Sequence, residues 1–162
     1  MLPDPLREFP AAVALESRLA GAITGGHNEH HEPTLFIDPA RIVDVCAFLK
    51  KDQGFIRLSG ATAVDWHPAD PRFEVVYLLH SIDRNQRLRL KCWVSEQDAE
   101  IDSITGVWRS AMWYEREVFD LFGIRFRNHP DLRRIMMPDD WEGHPLRKDY
   151  PVHGHKYSYP NE

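Results

Sequence analysis

Phe73–Ser81 reads FEVVYLLHS and Arg87–Val94 reads RLRLKCWV, and the relation between these two runs decides the fold. Both are rich in large apolar and β-branched residues. The DRNQ stretch that links them is turn-forming, so the pair predicts an antiparallel hairpin. In the second run Leu88, Leu90, Cys92 and Val94 alternate with Arg87, Arg89, Lys91 and Trp93. Side chains alternate across a strand, so one face of this sheet belongs to a core and the other is basic and partly exposed. A basic strand face can meet nucleic acid or an acidic partner, although an ordinary solvated sheet face has the same makeup.

Outward from the hairpin toward the N-terminus, Phe55–Leu58 begins another strand, which continues through Ser59-Gly60-Ala61 to Trp66 after a bulge or bend. Asp65–Pro71, with two prolines, is a turn or loop. Thr34–Asp38 (TLFID) is a short strand. Asp38 then caps a helix, with Pro39 at its first position. Ile42, Val43, Val45, Cys46 and Leu49 form the buried stripe of that helix; Lys50 and Lys51 suit the negative end of its dipole, and Gly54 ends it. Residues 1–12 read as an irregular lead-in. Val13, Leu15, Leu19 and Ile23 predict a short helix stopped by Gly25-Gly26. A metal pair at His27 and His31 would need helical spacing, which the double glycine and Pro33 oppose, so GGHNEHH reads as a solvated strand or loop. Strand and helix signals mix without strict alternation. They predict an α+β fold: a two-layer sandwich of a mixed, largely antiparallel sheet with helices on one face.

Toward the C-terminus, Ser103 can cap a helix and Gly123 can end one. Between them Ile104, Val107, Trp108, Ala111, Val118, Leu121 and Phe122 share one face, and Glu115 lies in the middle of that apolar stripe. Gly106 is a point where the segment can break into a turn and a shorter helix. A glutamate in an apolar stripe needs a partner or carries a raised pKa, and an arginine from the C-terminal segment is the expected partner. Arg109, Trp113, Arg116 and Asp120 fall on the opposite face, where Arg116 and Asp120 can pair. Glu117 points away from Glu115, so no pair of carboxylates faces one cleft in the manner of a glycosidase.

From Ile124 to Glu162 there is no sustained period, and Pro130, Pro138, Pro145, Pro151 and Pro160 interrupt the chain. Ile135, Met136, Met137, Trp141, Leu146, Tyr150, Tyr157 and Tyr159 are anchors. Arg125, Arg127, Arg133, Arg134, Arg147 and Lys148 are interleaved with acids. Trp, Tyr, Met and Arg are the residues enriched at protein interfaces. The expected division is an α+β domain over residues 1–123 and an extended tail over 124–162 that wraps partner subunits; the other possibility is that the tail folds back over its own domain. His129, His144, His153 and His155 fit no zinc spacing, and Asp139-Asp140-Trp141-Glu142 lacks the ligand spacing of a calcium loop.

The two cysteines, Cys46 and Cys92, cannot supply the four thiolates of an iron–sulfur cluster or closed zinc site, and both sit in apolar patterns that predict buried free thiols. The formal charge of −5 opposes nucleic-acid binding. No apolar run approaches the roughly 20 residues that span a bilayer. MLPDPLREF lacks a signal-peptide layout, so a cytosol-facing protein is expected.

Glu115-Arg116-Glu117, Asp120, Gly123-Ile124, Phe126, His129-Pro130, Leu132, Arg134-Ile135, Pro138, Trp141, Gly143-His144-Pro145 and Leu146-Arg147-Lys148-Asp149-Tyr150-Pro151 form a dense pattern. It resembles the C-terminal signature of the 30 kDa, or C, subunit family of proton-pumping NADH–quinone oxidoreductase, respiratory complex I. Ser103–Trp108 resembles an upstream segment of the same family. The resemblance implies a scaffold subunit of the peripheral arm, without a cofactor of its own, in an assembly that holds iron–sulfur clusters, FMN, NADH and quinone. It implies packing against the quinone-site (D) subunit and near the B and I subunits, with membrane contact only through the complex, on the cytoplasmic side of the bacterial inner membrane. Glu115, Arg116, Asp120, His129, Arg133, Arg134, Trp141, Arg147, Lys148, Asp149 and Tyr150 are then the expected contact or ion-pair residues, none of them a catalyst. Equivalent subunits of membrane-bound hydrogenases and ferredoxin-using complexes are the nearest alternative. A stand-alone metal-dependent or acid–base enzyme is a more distant one, as is a nucleic-acid module using Arg87, Arg89 and Lys91.

Overall fold

The hairpin that the alternation predicts lies inside the sheet: β4 (Phe73–Ser81) pairs antiparallel with β5 (Gln86–Val94), from Phe73 opposite Val94 to Ser81 opposite Gln86. The computed structural model describes residues 3–30 and 32–152. The other elements are α1 (Pro10–Arg18), β1 (Ile23–Glu29), β2 (Glu32–Ile37), α2 (Ile42–Lys51), β3 (Arg57–Asp65), β6 (Glu100–Asp102), α3 (Ala111–Phe122) and β7 (Arg125–Arg127). The main sheet has the order β1-β2-β5-β4-β3, and its pairs are antiparallel except β2 with β5. The bend expected near Ser59 is a register shift between Leu58 and Gly60. The fold is α+β, as the mixed signals predict.

Leu88, Leu90, Cys92 and Val94 of β5 are buried beside Phe73, Val75, Tyr77 and Leu79 of β4. They join one core with Ala11, Ala12 and Leu15 of α1, Ile42, Val45, Cys46 and Leu49 of α2, and Val118 and Phe122 of α3. Cys46 and Cys92 are buried and free, and burial pushes both thiols up from their ordinary pKa. The opposite face carries the half-buried Arg89, Lys91 and Trp93. Asp38 caps the turn before α2 by accepting the Ala40 amide at 3.0 Å.

Three expectations are corrected. The first helix ends at Arg18, and Ile23–Glu29, with both glycines, is a strand paired to β2. Sheet pairing overrides the helical spacing there, and Gly26 shows how. At a φ of 154°, a Cβ on Gly26 would stand 2.3 Å from the Thr34 carbonyl and 2.6 Å from Leu6 Cδ1, so only a bare Cα lets the lead-in pack over the strand. Val43 is 36% exposed, because α2 begins at Ile42 and its buried stripe runs through Ile42, Val45, Cys46 and Leu49. Ser103 does not cap α3, which starts at Ala111; residues 103–110, around Gly106, are mostly turns. Beyond residue 123 the chain still contributes side chains to the core. Ile124 and Phe126 are buried in the core, and β7 pairs parallel with β6. A chain cut at 124 therefore loses part of its core.

Gly26→Ala should destabilise the chain by about 2–4 kcal/mol, the range for forced overpacking with backbone strain. Chemical denaturation should show the lower midpoint; an unchanged midpoint would mean that the lead-in and β2 move aside freely.

Candidate functional site

Twelve residues of α3 present three buried polar groups, Glu115, Arg116 and Asp120. A buried ion needs a full set of partners. For Asp120 the C-terminal segment supplies them. Its Oδ2 accepts the amides of Ile135, Met136 and Met137 at 3.0, 2.7 and 2.8 Å, and its Oδ1 receives Arg134 Nη1 at 2.6 Å. Burial alone would push the Asp120 carboxyl up; the Met137 amide, Arg134 and the other two amides outweigh it and hold the pKa below the usual carboxylate range. Arg134 goes on to the carbonyls of Trp141 and Gly143 at 2.9 and 3.0 Å. His144 Nδ1 donates to the Asp120 carbonyl at 2.9 Å, and burial lowers the pKa of its ring.

Arg116 does not pair with Asp120, as its spacing suggested. It donates to the carbonyls of Arg133 and Arg134 at 3.1 and 2.9 Å and lies over the Trp113 ring. Arg133 itself pairs with Asp131 at 2.9 Å. α3 thus offers the segment a donor one turn from an acceptor, and the irregular backbone bonds to both.

A second knot forms at the far end of β3 and β4. Arg72, 1% exposed, binds Asp65 with Nε and Nη2 at 2.9 and 2.8 Å, Glu96 with Nη1 at 2.6 Å, and Asp149 with Nη2 at 2.6 Å. Asp65 also accepts the amides of His67 and Lys148, at 2.9 and 2.8 Å. Burial pushes Asp65 up, but Arg72 and these amides hold it well below the ordinary range. The Asp65 and Asp149 hydrogen bonds raise Arg72 in turn. Arg147 donates to the Phe122 carbonyl at 2.6 Å, and it and Arg72 both stack on Phe73. Lys148 lies over Trp66, and Tyr150 donates to the Glu142 carbonyl at 3.3 Å. Arg72, Asp65 and Glu96 were not singled out from sequence. The available signal was positional: Asp65 ends β3 and Arg72 immediately precedes β4, so a hairpin of these strands would bring the two close together.

Glu115 is also corrected. Its partners are Ser103 Oγ at 2.6 Å and the Ile104 amide at 2.8 Å, both upstream, not an arginine of the tail. The nearest C-terminal group is the buried His129 ring, 3.9 Å away. His129 Nδ1 accepts the Asp131 amide, so Nε2 carries the proton and donates to the Met112 carbonyl at 3.1 Å. Burial lowers the pKa of His129 and raises that of Glu115 to about 7, against which its two neutral donors act only partly.

A carboxylate that already accepts four hydrogen bonds, as Asp120 and Asp65 do, has little capacity left to act as a base or metal ligand. These groups fasten the chain. What they fix outward is apolar: Trp113 is 57% exposed, Met136 62%, and Ile135 and Leu146 are also exposed. Asp139, Asp140 and Glu142 lie at the surface, and His153 and His155 fall outside the described residues.

An α+β domain clamped by its own irregular C-terminal segment, with large apolar side chains held on the outside of the clamp, is the class that fold and site define. Residues 35–156 match the family described as the respiratory-chain NADH dehydrogenase 30 kDa subunit. The NADH-quinone oxidoreductase C subunit of Trichlorobacter lovleyi is 59% identical over 145 residues, 89% of this chain and 90% of that protein. Its counterpart in Geotalea uraniireducens is 49% identical over 144 residues, 89% of this chain and 88% of its own length. A solved trypsin-resistant fragment of Nqo5 superimposes with a TM-score of 0.66 at 30% identity, covering 75% of this chain and 98% of the fragment. A chain of the archaeal membrane-bound sulfane sulfur reductase shares the fold, with a TM-score of 0.74 at 24% identity, over 87% of this chain and 84% of its own. The chain belongs to the family of the 30 kDa subunit of respiratory-chain NADH dehydrogenase.

Asp120→Asn should cost about 3 kcal/mol at pH 7, the range for breaking a buried pair. Because the folded pKa of Asp120 is lowered, its contribution is present above the unfolded value, near 4, and disappears as pH falls through the folded value. The two denaturation curves should therefore converge only in acid. Glu115 has the opposite sign. With a folded pKa of about 7 against 4.5 unfolded, its contribution is complete below pH 4.5 and lost as pH rises through 7. Glu115→Gln should remove a fall of about 2–3 kcal/mol between pH 5 and 8, on the scale of 1.4 kcal/mol per pKa unit; parallel stability curves for the two proteins would contradict this.

Proposed function

We propose that this chain is the 30 kDa scaffold of an NADH–quinone oxidoreductase. It works with the other subunits of that enzyme complex and holds neighbours in register while electrons pass from NADH through iron–sulfur clusters to quinone. The observation that carries this reading is the outward set Ile135, Met136 and Leu146 on a segment fastened from within by Asp120 and Arg72, together with the exposed Trp113 of α3. Exposed and firmly held apolar side chains are what a protein interface uses. High identity over nine-tenths of two relatives from NADH-quinone oxidoreductases supports the respiratory form over its hydrogenase-like relatives.

In this reading the segment beyond residue 123 has two sides. Its inner side satisfies Asp120, Arg116 and Arg72; its outer side lies against a partner, with the quinone-site (D) subunit the first candidate and the B and I subunits next. FMN and the clusters belong to other subunits of the complex. Among the described residues no helix is long and apolar enough to cross a membrane, and attachment to the cytoplasmic side of the inner membrane comes through the complex.

The test alters the outer side alone. Met136→Glu with Leu146→Glu should leave the melting temperature of the isolated chain within about 2 °C, since exposed substitutions shift stability little. Recovery of the chain with the complex from membranes should fall at least about tenfold, equivalent to 1.4 kcal/mol. Full stoichiometry in the purified complex would refute the reading.

A further inference from the structure

The outer face of the sheet ends in a groove of about 400 Å³, lined among others by Glu32, Arg57, Leu78, His80, Arg87 and Arg89. It lies away from the C-terminal clamp. Residues 148–149 tie down at Asp65 and Arg72, where β3 ends and β4 begins; the groove opens at the other ends of those strands.

The register builds it. Arg57 stands opposite His80, and His80 opposite Arg87, so three basic side chains form one row on adjacent strands. With strands about 4.8 Å apart, the bases of the two arginines are about 10 Å apart, and Leu78 lies about 7 Å along β4 on the same face. Other cations of this face are neutralised: Arg89 by Glu32 at 2.5 Å and Lys91 by Glu74 at 2.5 Å. Among the described residues, Arg57 and Arg87 make no ion pair. His80 Nε2 is shielded from solvent and makes no hydrogen bond. Two unpaired guanidinium groups thus flank an unsatisfied imidazole, in a chain whose formal net charge is −5.

We propose that this groove docks an acidic segment of a neighbouring polypeptide. Two carboxylates about 10 Å apart meet Arg57 and Arg87, and an apolar side chain between or beside them covers Leu78. Leu78, 38% exposed and lining the groove, favours a polypeptide over a small inorganic anion, which would leave it bare. The narrowness of the basic row favours it over nucleic acid, which needs a broad positive field. The proposal rests on the reading that the chain works inside a larger protein assembly, and it adds a second contact face to the one at Trp113 and Met136.

The test is photo-crosslinking within the purified complex, with p-benzoylphenylalanine placed at exposed Ser59, which also lines the groove, and separately at Met136. The peptide joined at Ser59 should carry two or more Asp or Glu around an apolar residue. Arg57→Glu with Arg87→Glu should cut its yield at least about tenfold and leave the Met136 adduct unchanged. No adduct at Ser59, an adduct with nucleic acid or a non-acidic peptide, or a yield indifferent to charge reversal overturns the groove proposal. If only Ser59 fails, the scaffold reading stands; if neither position yields an adduct, both readings fall.

Discussion

A charge taken out of water must be met by partners, and among the charges this chain buries are two that draw partners from the C-terminal segment, Asp120 on α3 and Arg72 before β4. Leaving either unmet would cost several kcal/mol. The C-terminal segment meets both. Three consecutive amides and Arg134 converge on Asp120, and Asp149 closes the ring around Arg72. The segment is ordered because its backbone amides and carbonyls bond to buried side chains, where a helix or strand would bond to itself.

The same constraint explains why two buried acids five residues apart on α3 behave oppositely. Asp120 is held by one cation and three amides, and its pKa falls. Glu115 has one hydroxyl and one amide, too little to offset its burial, and its pKa rises. Asp120 therefore works as a charged clasp, whereas Glu115 ties the turn at Ser103 and Ile104 to the helix that follows.

A segment clasped this way presents its outer side chains at set positions. On the proposed reading, holding neighbouring subunits at set positions is itself a function. The clamp and the basic groove lie toward opposite ends of the sheet, which suits a protein with neighbours on more than one side.

Much of this was legible in the sequence. The alternation of Leu88, Leu90, Cys92 and Val94 with Arg87, Arg89, Lys91 and Trp93 determined the hairpin and its two faces, because a period of two admits one arrangement. Asp38-Pro39 determined where the second helical segment starts, and Gly123 where α3 stops. The dense C-terminal pattern from Glu115 to Tyr150 carried the resemblance to the family whose model residues 35–156 match. What the tertiary structure decided was their pairing. Arg116 and Asp120 sit at pairing distance on a helix yet each bonds elsewhere; Glu115 turns to residues upstream; Arg72 joins groups from three separate parts of the chain. Local periodicity says which face a side chain takes. Which partner meets a buried charge depends on long-range packing, where groups up to 83 residues apart are brought within hydrogen-bond reach.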